Sequence, residues 1–438
     1  FEDAGAASAA GTRFLGFGNG GFHNAGTYER NGLGTTNAYA FENTATGTLN
    51  VNAGTLNFAS ASSSSGVINV AGGALLSFGG GNSTVSGSIA NAGLVRLSAG
   101  TLTMTGSIGG DVHLDFGTFN NDSVNTLGRL QVTGGTRSGS AALQVASLEF
   151  NNGTFNGGAT TTVFGITTFN GGVTQTVNSN HVLQLNGDAF WSAGDGSINA
   201  TSSGSLRVAA SATFEDAGAA SAAGTRSLGF GGGGFHIAGT YERNGLGTTN
   251  AYRLVNTGTV NVNAGTLAVN ADFDNTGLVH VKPGAVLAAT GTSFANAGVL
   301  AGDGLVRTLG ASWALSNAGA IAPGAPASTG TLTVDGDLRL LGAGTLEIHL
   351  SSLASFDLLA VTDDLTVGGT LHVANLGYTP VVGDEFVIVS FAQRLQDSVF
   401  DSVTWSGFGT GVQFGVVYNA NDITLGVLAV PEPATWAL

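Results

Sequence analysis

Short runs in which apolar and polar residues alternate recur along the chain, separated by glycine-rich turns. Val67-Ile68-Asn69-Val70, Leu94-Val95-Arg96-Leu97, Thr101-Leu102-Thr103-Met104 and Val279-His280-Val281 each set aliphatic residues or Met on one side and Asn, Arg, Thr or His on the other. That period of two is expected of a strand with one buried face. Gly-Gly and Ala-Gly pairs interrupt the runs every five to ten residues, and no segment shows helical periodicity. The predicted elements are short strands throughout, which makes the class all-β.

A longer period lies over the strands. The triplets Asn256-Thr257-Gly258, Asn275-Thr276-Gly277, Asn296-Ala297-Gly298 and Asn317-Ala318-Gly319 follow one another at spacings of 19, 21 and 21 residues. A fixed period near 20 signifies one structural unit stacked on copies of itself. We therefore expect a single-stranded parallel β-helix, a β-solenoid with rungs of about 20 residues, over 1–330. It is taken as right-handed, the common form of the architecture. Parallel stacking pairs each strand with the rungs above and below, and Asn at repeated turn positions is expected to form side-chain ladders.

Residues 1–39 reappear as 214–252 with 36 of 39 positions identical, the exceptions being Phe14/Ser227, Asn19/Gly232 and Asn24/Ile237. A solenoid accepts such an insertion because each rung contacts only its neighbours. Beyond Gly330 the composition shifts: residues 331–428 hold 11 of the 28 carboxylates and longer apolar strands such as Phe386-Val387-Ile388-Val389-Ser390-Phe391. This segment is read as the last rungs and a C-terminal capping β region, since an uncovered solenoid end exposes core and backbone.

Composition narrows the function classes. Glycine accounts for 72 of 438 residues without a three-residue period, which excludes collagen. Only 9% of residues are charged while 42% are hydrophobic, so the chain is not a disordered polar segment. The balance is 13 basic to 28 acidic residues, net −15, with Lys282 the only lysine. A phosphate-tracking surface needs basic clusters, so no nucleic-acid partner is expected. Cysteine is absent, which rules out disulfides and thiolate metal sites.

Candidate chemistry is sparse. In Asp111-Val112-His113-Leu114-Asp115-Phe116, alternation places Asp111, His113 and Asp115 on one face and Val112, Leu114 and Phe116 on the other. Two carboxylates and an imidazole form the one candidate metal or acid–base site, against the plainer reading of a solvated outer face. The pairs Asp272/Asp274, Asp335/Asp337, Asp363/Asp364 and Asp384/Glu385 are read as structural. Gly16 to Gly21 and Gly229 to Gly234 match G-x-G-x-x-G formally, but strand and turn follow where a dinucleotide site needs a helix. His23 and His236 share a duplicated position, and duplication alone explains them. Arg30 and Arg243, beside Glu29 and Glu242, are read as repeated surface pairs. Thr101, Thr103 and Thr105 are expected to share a face, threonine being a good strand former. No catalytic residue and no cofactor is expected.

The tail Ala429-Val430-Pro431-Glu432-Pro433-Ala434-Thr435-Trp436-Ala437-Leu438 resembles the start of a PEP-CTERM sorting signal. Val430, Pro431, Glu432 and Pro433 match that family's motif, and Thr435 to Leu438 match the beginning of its apolar membrane helix. The rest of the helix and the arginine cluster are missing from the sequence, so any membrane contact is expected only through that missing helix. Asn317 to Leu338, together with Asp357-Leu358-Leu359-Ala360-Val361 and Val367-Gly368-Gly369-Thr370-Leu371, resemble the late rungs of autotransporter-like β-helices. The resemblance implies a protein exported through a Gram-negative envelope, handled by exosortase-type sorting machinery and displayed on the cell surface or in the extracellular matrix. Adhesin-like, structural roles in contact with exopolysaccharide are what it suggests. The alternative is a polysaccharide lyase or glycoside hydrolase on the same scaffold, which needs carboxylates from different rungs to converge.

Overall fold

The computed structural model describes every residue except 7, 17–19, 272, 292–293, 309–313, 325–327 and 430–438. The protein is all-β. Parallel strands stack rung upon rung into a β-solenoid of about 17 turns, and helix is almost absent among the described residues, a short 3-10 turn lying at Leu395–Asp397. The chain forms two compact units, Phe1–Glu215 with Ser227–Gly234, and Asp216–Arg226 with Phe235–Leu438.

In the first unit each early rung supplies one strand to each of three parallel sheets. Thr27–Arg30, Thr48–Val51, Val67–Val70 and Ser88–Asn91 neighbour one another in the first sheet. Leu75–Phe78, Leu94–Leu97 and Asp111–Leu114 belong to the second. Phe41–Asn43, Ser63–Ser64, Asn82–Val85 and Thr101–Met104 belong to the third. Register is strict, so the inward residues stack. Tyr28, Leu49, Ile68 and Ile89 stand directly above one another and are almost wholly buried. Each such aliphatic side chain stabilises the fold by about 1.5–3 kcal/mol through its removal from water.

The second unit explains the returning Asn and Gly. Asn256, Asn275, Asn296 and Asn317 are the last residues of the strands Leu254–Asn256, Phe273–Asn275, Phe294–Asn296 and Ala314–Asn317. The expected ladder exists, but it lies inside the wall and not on the turns, because strand parity points these side chains inward. All four are buried. Each amide donates to the next amide oxygen, at 2.7, 2.7 and 2.6 Å. The same nitrogens reach carbonyls of strand-opening residues, Asn256 to Leu278 O at 2.9 Å and Asn296 to Ala320 O at 3.1 Å, so buried polar groups are satisfied where the chain turns away. The glycines beside them lie against the rung below. A Cβ on Gly277, Gly298 or Gly319 would meet the carbonyl oxygen of the preceding triplet's glycine at 2.1 Å, and only glycine permits that approach.

Parallel stacking ends in antiparallel pairing. Glu385–Ser390 lies parallel to Leu358–Val361 on one side and antiparallel to Asp422–Ala429 on the other. Gln413–Tyr418 then adds antiparallel to Asp422–Ala429, forming the C-terminal β cap.

Candidate functional site

The structure brings His113 and Asp115 together but separates them from Asp111. The strand closes at Leu114, and the turn that follows reverses the alternation. Asp115 is therefore buried and Phe116, expected to be inward, is 79% exposed. Asp115 Oδ2 accepts from Arg96 Nε at 2.6 Å, while Oδ1 accepts from Thr133 Oγ1 at 2.8 Å and lies 2.8 Å from His113 Nε2. Asp111 Oδ1 instead accepts the backbone N–H of Arg129 at 2.9 Å. Burial alone would raise the Asp115 pKa, but the Thr133 and Arg96 hydrogen bonds and the neighbouring positive charges bring it below the ordinary value. Burial, aided by Arg96 and Arg129 and opposed by Asp115, lowers the His113 pKa. Among the described residues no group of three or more His, Asp or Glu is placed to hold a metal ion.

Arg30 and Arg243 are not the surface residues their sequence neighbours suggest. Both are fully buried. In Thr27–Arg30 the inward parity includes Tyr28 and Arg30, and the arginine reaches the turn that follows. Its Nη1 donates to Gly32 O at 2.5 Å and its Nη2 to Leu33 O and Gly34 O at 2.8 Å. Arg243 repeats this with Gly245 O, Leu246 O and Gly247 O at 2.7, 2.7 and 2.8 Å. A buried carboxylate balances each copy. Asp216 accepts from Tyr241 at 2.7 Å, Thr249 at 2.6 Å and the Gly218 N–H at 2.8 Å, with Arg226 at 3.3 Å. Asp3 does the same with Tyr28, Thr36, Gly5 and Arg13. Burial, reinforced by these carboxylates, raises both tyrosine pKa values. The hint in the sequence was that Asp, Tyr, Arg and Thr recur together in both copies at inward parity. These networks hold turns in place; the Asp216 network is fully buried, whereas Asp3, Arg13, Tyr28 and Thr36 line a cavity of about 300 Å³.

The remaining candidates are dispersed. Asp335 pairs with Arg307 at 2.7 Å, and Asp337 accepts the Asp364 N–H at 3.1 Å. Asp384 takes the Tyr378 hydroxyl and the Val381 N–H. Asp357, fully buried, accepts from Gly330 N and His349 N at 2.8 Å and lies 2.8 Å from His349 Nδ1. Asp272 and the sorting motif Val430, Pro431, Glu432 and Pro433 lie outside the described residues. Gly229 to Gly234 is followed by the strand Phe235–Ile237, so no helix terminus is available for a pyrophosphate. Thr101 and Thr103 are half-buried and Thr105, just past the strand end at Met104, is exposed, so the three keep the outward side while Leu102 and Met104 are buried.

What the outer surface does carry is repetition. Thr101, Thr118, Thr136, Thr154 and Thr176 occupy one register line across five rungs. Asn69 donates to Asn50 and Asn57 to Asn37, each at 2.8 Å, on two other sheets. Sequence inspection missed the threonine line because its spacing varies with rung length. Compared with known proteins, the chain matches no protein-family model and no curated protein. No helix among the described residues is long and apolar enough to cross a membrane.

Proposed function

We propose that this is an exported structural protein of the cell surface or extracellular matrix, adhesin-like in role, whose repetitive faces contact exopolysaccharide. The observation that carries the reading is the in-register line from Thr101 to Thr176. Uncharged hydroxyls recurring at about 4.8 Å, the strand spacing, suit a polymer that is itself a repeat of hydroxyl groups. The resemblance of Val430-Pro431-Glu432-Pro433 to a PEP-CTERM motif supports sorting by exosortase-type machinery at a Gram-negative envelope. The reading gives the protein no catalytic role. A lyase or hydrolase needs free carboxylates facing one substrate, and Asp115, Asp216 and Asp357 are each buried among their own partners. Cosedimentation of the purified protein with insoluble polysaccharide tests the reading, with the supernatant assayed for released sugar ends. Retention in the pellet without release is expected; release of oligosaccharides would replace the scaffold with an enzyme.

A further inference from the structure

One depression in the first unit has the chemistry of a ligand site. Residues 59–66 read Ala-Ser-Ala-Ser-Ser-Ser-Ser-Gly, with no side chain larger than a hydroxymethyl group. That rung's strand is only Ser63–Ser64. The rungs on either side carry longer residues, so this one is recessed. The result is a cavity of about 350 Å³ whose lining includes His23, Glu42, Ser63, Asn82 and Thr84. His23, Glu42, Ser63 and Thr84 form one register line over four rungs, a length of roughly 14 Å at the strand spacing.

Apart from the pairing of His23 with Glu42 and Gly20, the polar groups there are not spent on the protein. His23 is anchored, with Nε2 2.9 Å from Gly20 O and Nδ1 against Glu42 Oε2. Glu42 Oε1, Ser63 Oγ, the Asn82 amide and Thr84 Oγ1 have no side-chain hydrogen bond to another protein group, unlike the buried Asn24–Asn43–Ser64 chain behind them. Glu42 disfavours anions, and one carboxylate with one imidazole is too few ligands for a metal ion. Carboxylate, hydroxyl and amide groups together match a neutral ligand rich in hydroxyls. The duplicated copy does not repeat the His–Glu pair: the register neighbour of His236 is Val255, where His23 has Glu42.

We propose that the groove of His23, Glu42, Ser63, Asn82 and Thr84 is a binding site for a neutral oligosaccharide segment. The inference rests on the polysaccharide-contact reading and assigns it a location and a ligand class. Glu42 accepts sugar hydroxyls, and Asn82 and the two hydroxyls set orientation.

The test is NMR titration with neutral hexasaccharides of the glucan, xylan and mannan types, with hexagalacturonate as the charged comparison. Cosedimentation of the same samples with insoluble polysaccharide runs alongside. Ser63→Trp fills the groove from an exposed position and Glu42→Gln removes the charge; circular dichroism checks that both fold. At least one neutral hexasaccharide should bind the wild type and bind both variants roughly tenfold or more weakly, a loss of about 1.4 kcal/mol. Val299→Trp, at an exposed position of the second unit, should bind as the wild type does, and hexagalacturonate should not bind. Equal binding to Ser63→Trp, or no neutral hexasaccharide bound by the wild type, overturns the groove. If the wild type still cosediments with polysaccharide in that case, the broader reading survives; if it does not, both fall.

Discussion

The side-chain amide of Asn275 donates to the amide oxygen of Asn296 at 2.7 Å, with both residues buried inside the solenoid wall. Asn275 also accepts from Asn256 and reaches Gly277 O at 3.2 Å. Its replacement therefore strands a donor below and an acceptor above. Asn275→Ala is expected to lower stability by about 2–4 kcal/mol, since each unsatisfied buried group costs ~1–3 kcal/mol. Denaturant unfolding would measure it, with hydrogen exchange showing the loss concentrated in neighbouring rungs, as nearest-neighbour stacking requires.

Two arginines of the same formal charge should differ sharply. Arg243 is fully buried, bonds three turn carbonyls and lies 3.7 Å from Asp216. Arg129 is 42% exposed and pairs with Glu149, itself 35% exposed, at 3.1 Å. Arg243→Ala is predicted to cost about 3–5 kcal/mol, the usual consequence of breaking a buried pair. Arg129→Ala is predicted to cost less than about 1 kcal/mol. Should Arg243→Ala fail to fold, Arg243→Lys, which keeps the charge but not the three-carbonyl reach, provides the measurable intermediate.

His181 makes stability depend on acidity. It is buried, with Nδ1 3.1 Å from Gly157 O and Nε2 3.1 Å from Thr161 Oγ1. Burial first, then the charge of Arg137, lowers its pKa from 6.5 to about 3. Between those values the unfolded chain binds the proton and the folded one does not. The stabilisation is thus complete above about pH 6.5 and is lost as pH falls towards 3, amounting to ~5 kcal/mol over the window. Thermal unfolding of the wild type should show this acid-side decline, and His181→Gln should flatten it. An unchanged slope would show that other groups set the dependence.

Much of the fold was legible because stacking repeats its demands. Asn256-Thr257-Gly258 returns wherever a turn must approach the carbonyl below and a buried amide must close a strand end. Local parity failed where strands were shorter than their pattern. Leu114 ends its strand, so Asp115 and Phe116 exchange the faces that alternation assigns. Arg30 and Arg243 were misread because adjacent glutamates suggested surface pairing, whereas the turn carbonyls that draw each guanidinium inward exist only after folding. The groove was hidden for a related reason. His23, Glu42, Ser63 and Thr84 lie 19, 21 and 21 residues apart, and only the register of four rungs reveals them as one line.

The proposed role places the protein outside the cell, against polysaccharide. Its most direct test follows the full-length protein through fractionation of the cells that make it, with and without enzymatic digestion of their exopolysaccharide. Recovery in the extracellular polysaccharide fraction, with release on digestion, is the predicted result. Recovery in the cytoplasm, or a surface population indifferent to digestion, would contradict the account.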